Sequence, residues 1–362
     1  MYDVPHLRFP EFGGEWRKYK LAEICSFFSG GTPSSSKKEY YDGNIPFIRS
    51  GELHMDKTEL FITEVGLDNS AAKIVDVGDL LLALYGATSG DIAISQIKGA
   101  INQAILCIRT TQNKKFIESV WKKHVEKLLQ TYLQGGQGNL SADIVKNISF
   151  YFAESNEQIK LAKFITLLDE RIATQNKIID KLQSLIKGLA VTLTTKGKPN
   201  TAISQCLECH SSTLQESKVL PNGLYKVFGA NGLVGYTDVS QMNGDAILVI
   251  KDGSGVGTTS YAQGKFSVIG TLNYLTILGN YDLRYLYFAL SVFNFQPYKT
   301  GMAIPHIYFK DYSNAKIYCP PLTEQKRIAN VLGKLESKLL LEQELITLFN
   351  QQKQYLLGQV FI

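Results

Sequence analysis

Residues 154–195 and 321–362 are two versions of one element, and the second lies 167 positions after the first. Asn156-Glu157-Gln158 is answered by Thr323-Glu324-Gln325, and Ala162 by Ala329. Apolar residues then step by threes and fours through Ile165, Leu168, Ile172, Ile179, Leu182, Ile186 and Leu189. The second copy answers with Leu332, Leu335, Leu339, Ile346, Phe349 and Leu356, and both are interrupted at the same place, by Gln175 and Glu342. A 3,4 rhythm held over more than three heptads is the signature of a coiled-coil seam. A helix of this kind cannot bury its stripe alone, so each copy needs a partner helix, and the chain carries two. Polar residues inside such a seam cost stability and fix register. Lys353 stands where the first copy has Ile186, and its long stem is expected to carry the ammonium out to water.

The repeat continues into the segments between the helices. Gly78-Asp79-Leu80-Leu81-Leu82 matches Gly244-Asp245-Ala246-Ile247-Leu248 at an offset of 166, and Asn139-Leu140-Ser141 sits opposite His306-Ile307-Tyr308. Leu21-Ala22-Glu23-Ile24 corresponds loosely to Ile203-Ser204-Gln205-Cys206. The chain therefore reads as block 1–153, helical region 154–195, block 196–320 and helical region 321–362. A duplication of this kind implies an internal pseudo-twofold, which suits a partner that is itself two-sided.

Composition narrows the class. Hydrophobic content of 44% and charged content of 20% are those of a soluble globular protein. No apolar run approaches bilayer length, and residues 1–6 do not read as a signal peptide, so the expected location is cytoplasmic with no membrane partner. Block 1–153 carries 17 basic and 17 acidic side chains, and block 196–320 carries 10 and 7. A stand-alone DNA binder is usually more basic. If this chain binds DNA, a partner must supply much of the phosphate neutralisation. Of the lysine pairs, 114–115 and 122–123 read as solvated helix faces, whereas Lys37-Lys38 lies in a glycine-rich loop.

The apparatus of an enzyme is missing. The Gly-Lys pairs at Gly197, Gly264 and Gly333 lack the upstream glycine of a phosphate-binding loop. Ser254 matches a nucleophile elbow only in part. The histidines (His6, His54, His124, His210, His306) show no metal-ligand spacing. Cys206-Leu207-Glu208-Cys209-His210 has the pattern of covalent haem attachment, but that chemistry requires export. Cys25, Cys107 and Cys319 are isolated in sequence, which leaves no second pair for a zinc site, and Cys206 falls opposite Ile24 in the repeat and reads as a small core residue. Cys319-Pro320-Pro321-Leu322 lacks the polar leader of an amino-methyltransferase motif. No catalytic residue and no metal site are assigned.

The blocks offer glycine-punctuated polar loops after strand-like runs. Ser29 to Lys38 contains Thr32, Ser34, Ser35, Lys37 and Lys38, and Tyr85 to Asp91 contains Tyr85, Thr88 and Ser89. The second block answers the latter with Lys251, Ser254, Thr258 and Thr259. Glycines let backbone approach a partner closely, while hydroxyls and lysines suit phosphates and base edges. An ordinary solvated turn remains the alternative for each loop.

Taken together, these residues resemble the DNA-sequence specificity subunit of type I restriction–modification systems. The likeness runs through Trp16, Leu21 to Ile24, Gly30-Gly31-Thr32-Pro33-Ser34, Gly43 to Arg49, Gly78-Asp79-Leu80-Leu81 and Glu157-Gln158. It continues through Tyr225 to Gly232, Gly244-Asp245 and Pro320 to Gln325, with Phe152-Ala153-Glu154 departing from the Pro-Pro-Leu of the second half. The resemblance implies an α+β fold: two pseudo-twofold-related, β-rich target recognition domains separated by a long antiparallel two-helix coiled coil. It implies a non-catalytic subunit in which each domain reads half of a bipartite site on double-stranded DNA. Arg49, Lys226 and Asn231 join the loop residues as DNA-binding candidates. The helices would set the spacing and dock two modification (methyltransferase) subunits, with restriction/translocase subunits joining that core. No cofactor is expected on the chain itself; S-adenosylmethionine, ATP and magnesium are expected on the partners. An enzyme with fused recognition domains, or a coiled-coil scaffold with ligand-binding blocks and no DNA role, would be the alternatives.

Overall fold

The computed structural model describes residues 4–133, 139–301 and 303–362. The reading of residues 1–6 therefore falls in part on residues 1–3, outside the described residues. The chain divides into one unit of residues 1–174 with 346–362 and a second of residues 175–345. Each unit thus combines a globular block with a portion of both long helices.

In the first unit the strands of the two larger sheets are β1 (Cys25–Ser29), β2 (Tyr41–Ile48), β3 (Phe61–Ile62), β4 (Lys73–Val75), β5 (Leu80–Ala83), β6 (Ile92–Ile94), β7 (Gly99–Ile101) and β8 (Ile105–Thr110). They form two four-stranded sheets in the orders β1-β8-β5-β6 and β3-β2-β7-β4. All pairings are antiparallel except β2 with β7, where Phe47 faces Ala100 and Ile48 faces Ile101. Strand β5 shows why its sequence is an unbroken apolar run. Successive side chains point to opposite faces, and here both faces are covered. Leu80 and Leu82 enter the core made with Phe116 and Trp121 of helix α1 (Lys114–Leu133). Leu81 and Ala83 enter a second core with Ile48 and Val75 of the other sheet.

The second unit repeats this plan. The strands of its two larger sheets are β9 (Leu207–Ser211), β10 (Tyr225–Gly229), β11 (Gly232–Thr237), β12 (Met242–Asn243), β13 (Ala246–Ile250), β14 (Thr259–Ala262), β15 (Lys265–Val268) and β16 (Leu272–Ile277). The sheet orders, β9-β16-β13-β14 and β11-β10-β15-β12, match those of the first unit strand for strand. Even the single parallel pair recurs, as β10 with β15. Ile247 and Val249 of β13 face one core, Ala246, Leu248 and Ile250 the other.

The long helices are α2 (Ser155–Thr194) and α4 (Leu322–Val360), and α3 (Leu283–Ser291) is the second unit's counterpart of α1. In each unit portions of α2 and α4 pair antiparallel. In the first, Leu161 and Ile165 share a core with Leu357 and Val360, and the Arg171 guanidinium lies 4.8 Å from the Phe349 ring centre. In the second, Ala190 packs with Ile328 and Leu332, while the buried Gln175 amide donates to the Glu342 backbone carbonyl at 3.2 Å and to its carboxylate. Lys338 also pairs with that carboxylate, and the two bonds hold it below its ordinary range. Ile165, Ile179 and Leu332 are buried. Leu168, Ile172, Leu182, Ile186, Leu189, Leu335, Leu339, Ile346, Phe349 and Leu356 are half-buried, as a two-helix seam allows.

Two expectations about lysines are corrected. Lys353 does not reach out to water: its ammonium lies 2.5 Å from Asp169, which also receives Lys115 of α1 at 2.7 Å. Burial pushes the Asp169 carboxyl up, but these two lysines outweigh it and leave it lowered. A seam lysine with a carboxylate in reach gains more from pairing in a half-buried groove than from a solvated end. The lysine pairs of α1 are not a solvated face either. Lys114 donates to the Gly78 carbonyl at 2.7 Å, Lys122 pairs with Glu118 at 2.5 Å, and Lys123 donates to the Phe361 carbonyl at 2.5 Å. The acceptors for Lys114, Lys115 and Lys123 come from other segments of the chain, so these lysines tie α1 to its surroundings.

Candidate nucleic-acid interface

In the first unit three segments converge on the turn of residues 102–104, between β7 and β8. Gly31 N–H donates to the Ile101 carbonyl at 3.2 Å, Asn102 N–H to the Ile48 carbonyl at 3.4 Å, and Leu84 N–H to the Ala104 carbonyl at 2.8 Å. These bonds bring the Thr32 loop, the end of β2 at Arg49 and the Tyr85 loop to one place. The second unit does the same at residues 269–271. Gly270 N–H donates to the Leu214 carbonyl at 2.9 Å, Ile269 N–H to the Phe228 carbonyl at 2.9 Å, and Lys251 N–H to the Thr271 carbonyl at 3.0 Å. A backbone-pinned cluster of loop tips on a rigid double sheet is the usual way a fold presents variable binding groups.

The glycines of the first loop work differently from expectation. A Cβ on Gly30 would lie 1.8 Å from the Ile101 carbonyl oxygen, and one on Gly31 2.5 Å from the Ala71 Cβ. The close approach they permit is therefore to the protein's own backbone, which seats the loop. Beyond that seat, Thr32 donates to the Gln103 side chain at 2.5 Å, and Ser34 and Ser36 share a hydrogen bond at 2.8 Å. Ser35, Lys37 and Lys38 are exposed. Lys37 donates to the Tyr40 hydroxyl at 2.8 Å and lies over its ring at 4.9 Å.

Arg49 is engaged internally: its guanidinium meets Glu52 at 3.0 Å and Glu59 at 2.9 Å. Burial would raise the Glu52 carboxyl, but hydrogen bonds from Arg49, Glu59 N–H and Thr58 overcome it and hold the group at about 2. Tyr85 is exposed, Thr88 is half-buried, and Ser89 donates to the Leu84 carbonyl at 3.0 Å, closing that loop onto the end of its strand.

In the second unit Lys226 on β10 is exposed, and Asn231 is exposed in the two-residue turn between β10 and β11. Lys251 is paired with Asp252 at 2.5 Å. The loop beyond it is joined to residues 305–307 through Gly253 N–H to the Pro305 carbonyl and Ile307 N–H to the Lys251 carbonyl, both 3.0 Å. Ser254 and Thr258 are exposed and Thr259 is half-buried. Thr258 and Thr259 line a groove of about 360 Å³ with Asn294, Gln296 and Lys299, backed by Phe293 and Phe295. The Thr259 hydroxyl is buried there with no hydrogen-bond partner.

Several residues of these clusters went unnoticed in the sequence. Asn102-Gln103 and the polar-aromatic alternation Phe293-Asn294-Phe295-Gln296 are of the types that read base edges and stack. Each was legible as a polar interruption between apolar runs. Cys206 is fully buried, and its thiol is raised by its hydrogen bond with Cys319 and by burial. His210 stacks on Tyr274 at 4.9 Å. Among the described residues no group of three or more His, Cys, Asp or Glu is placed to hold a metal ion, and no helix is long and apolar enough to cross a membrane.

A twofold repeat of one mixed-sheet block, each block presenting a backbone-pinned loop cluster and packed on paired long helices, defines a duplicated recognition module. The family model for the type I restriction modification DNA specificity domain matches residues 13–184 and 208–350, and the chain belongs to that family. It is 25% identical over 196 residues to the MjaVIII specificity subunit of Methanocaldococcus jannaschii, covering 53% of this chain and 44% of that protein. It is 21% identical over 359 residues to the EcoprrI specificity subunit of Escherichia coli, covering 89% and 88%. The chain spans less than half the length of the MjaVIII relative, and 42% and 43% of the MjaIX and EcoR124 subunits. In fold it is similar to the type I restriction–modification S subunit of M. genitalium, with a TM-score of 0.68 at 15% identity over 99% of both chains. A chain from a structural study of complex assembly in the type I R-M system gives 0.58 at 16% identity, over 95% and 97%.

Proposed function

We propose that this protein is a non-catalytic DNA-recognition subunit of a type I restriction–modification complex. Residues 1–153 and 196–320 are the two readers, each taking one half of a bipartite site through its loop cluster. Residues 154–195 and 321–362 hold the readers at a set spacing and dock two methyltransferase subunits, to which restriction/translocase subunits add. The observation that carries this reading is the repetition of one three-segment convergence on one sheet order in both units of a chain from the specificity family. Thr32, Ser34, Ser35, Lys37, Lys38, Tyr85, Thr88 and Ser89 serve the first half-site. Lys226, Asn231, Ser254, Thr258 and Thr259 serve the second, with Asn294, Gln296 and Lys299 beside them. Arg49 and Lys251, paired to carboxylates, shape the loops and reach DNA only if those pairs open.

The modest net charge fits a reader whose partners enclose much of the DNA. The test is to express the chain with a type I modification subunit, replace residues 1–153 by the equivalent block of a relative, and sequence the methylome. One half-site changes and the other stays; a change in both halves contradicts the two-reader assignment. Methyl transfer to DNA by the purified chain alone, with labelled S-adenosylmethionine, contradicts its non-catalytic role.

A further inference from the structure

The glutamines near the start of both long helices, Gln158 and Gln325, make equivalent buried contacts, and a second contact lies three turns further on. In the first unit Gln158 is 2% exposed; its carbonyl accepts the Asn113 N–H at 3.1 Å, and its amide donates to Gln112 at 2.7 Å and to the Ala153 carbonyl at 2.8 Å. Asn113 is the residue whose side chain caps α1, accepting Phe116 N–H at 3.0 Å. In the second unit Gln325, also 2% exposed, accepts the Asp282 N–H at 2.9 Å and donates to the Pro320 carbonyl at 2.8 Å. Asp282 caps α3 through Tyr285 N–H at 2.8 Å. The same buried amide thus holds the capping residue of each reader's helix.

Eleven residues later each long helix presents a carboxylate to the same reader helix. Eleven residues are close to three whole turns, so this group shares a face with the glutamine. Asp169 meets Lys115 of α1 at 2.7 Å. Glu336, 167 positions on, meets Arg284 of α3 and accepts the Tyr287 hydroxyl at 2.8 Å. The cations are also equivalent, each lying two residues past its capping residue. The chemistry differs between the halves, Lys with Asp against Arg with Glu, while the two-point geometry is kept. Arg284 is further held against the Tyr261 ring at 4.2 Å.

We propose that Gln158 with Asp169, and Gln325 with Glu336, are positioning residues that fix the pitch of each reader on its own helix and so set which gap length the protein accepts. The inference rests on the two-reader assignment. Apolar packing holds each reader against the helices without directional preference, and two directional contacts on one helix face fix its angle there. Base readout then stays with the loops, and the clamps determine only where along the DNA each loop cluster falls.

The test uses the full chain purified with a type I modification subunit and a random duplex library, with the retained DNA sequenced. Wild type retains two half-sites at one gap. Asp169→Asn, Glu336→Gln and the milder Tyr287→Phe keep both half-sites, and sites one base pair longer or shorter are now retained too. The preference for the original gap falls roughly tenfold in the two carboxylate variants, as expected for one weakened charge-assisted contact, and less in Tyr287→Phe. The conservative Lys115→Arg keeps a single gap. If every variant folds by circular dichroism and keeps one sharp gap, the clamps only stabilise and the inference falls. Loss of a half-site's sequence in a folded variant assigns these residues to base reading and also overturns it. If wild type itself retains no bipartite motif, the two-reader assignment fails, and the inference falls with it.

Discussion

At the scale of single residues, several charges are engaged within the protein. Arg49, Lys114, Lys115, Lys251 and Arg284 each meet a carboxylate, whereas Lys38 is exposed at the tip of the first loop. Lys38→Ala is therefore expected to weaken DNA binding across sequences and to flatten the dependence of log affinity on log salt by about 0.9. Lys37→Ala has a smaller effect, because Lys37 is already held on Tyr40. Anisotropy titrations over a salt series check both, and an unchanged slope for Lys38→Ala removes that lysine from the interface. Glu52 makes a second prediction. Its carboxyl is lowered from an ordinary 4.5 to about 2 by the Arg49 cluster. A depressed acid stabilises the fold above its unfolded value and loses that contribution as protons bind. Glu52→Gln should therefore lower stability near neutral pH by about 1–2 kcal/mol. It should also flatten the loss of stability between about pH 4.5 and about pH 2, as followed by urea unfolding at stepped pH.

At the scale of elements, the helix pair was legible because a 3.5-residue rhythm depends on local sequence alone. The meeting of Gln175 with Glu342 followed from the equal placement of the two interruptions. Replacing both by leucine is expected to leave the fold unchanged or to stabilise it, whereas Gln175→Leu alone lowers stability by taking one donor from Glu342, which keeps Lys338. Thermal unfolding distinguishes the two. Other features were not legible. The sheet orders depend on pairings such as β2 with β7, more than fifty residues apart. The partner of Lys353 is Asp169, 184 positions away, so the sequence showed a lysine in a seam and no reason for it. At the candidate interface, loops with hydroxyls and lysines were visible as such. That Arg49 answers to Glu52 and Glu59 was not, because only the folded turn brings all three together.

At the scale of the whole molecule, the proposed function makes the accepted gap a property of helix length. Inserting one full heptad into each helix, beside Gln175 and beside Glu342, keeps the 3,4 seam in phase. It adds about 10 Å of helix at 1.5 Å per residue, or about three base pairs at 3.4 Å each. The expected methylome shows unchanged half-sites with a gap about three base pairs longer. An active double insertion that keeps its original gap would separate spacing from helix length. An insertion in one helix alone slips Leu168 and Ile172 against their partners and is expected to abolish activity.

The way the loop tips are seated bears on how such a protein changes over generations. In the first cluster the bonds that join its three segments run between main-chain atoms, and the tight contacts fall on Gly30 and Gly31. Side chains between those seats, such as Ser35 and Lys38, take no part in the holding. On the proposed function, substitution there alters what is read without disturbing how the loop is built, while a side chain at Gly30 or Gly31 would collide with the segments that seat the loop. Such a chain has a small set of loop positions free to drift, surrounded by a frame that resists drift.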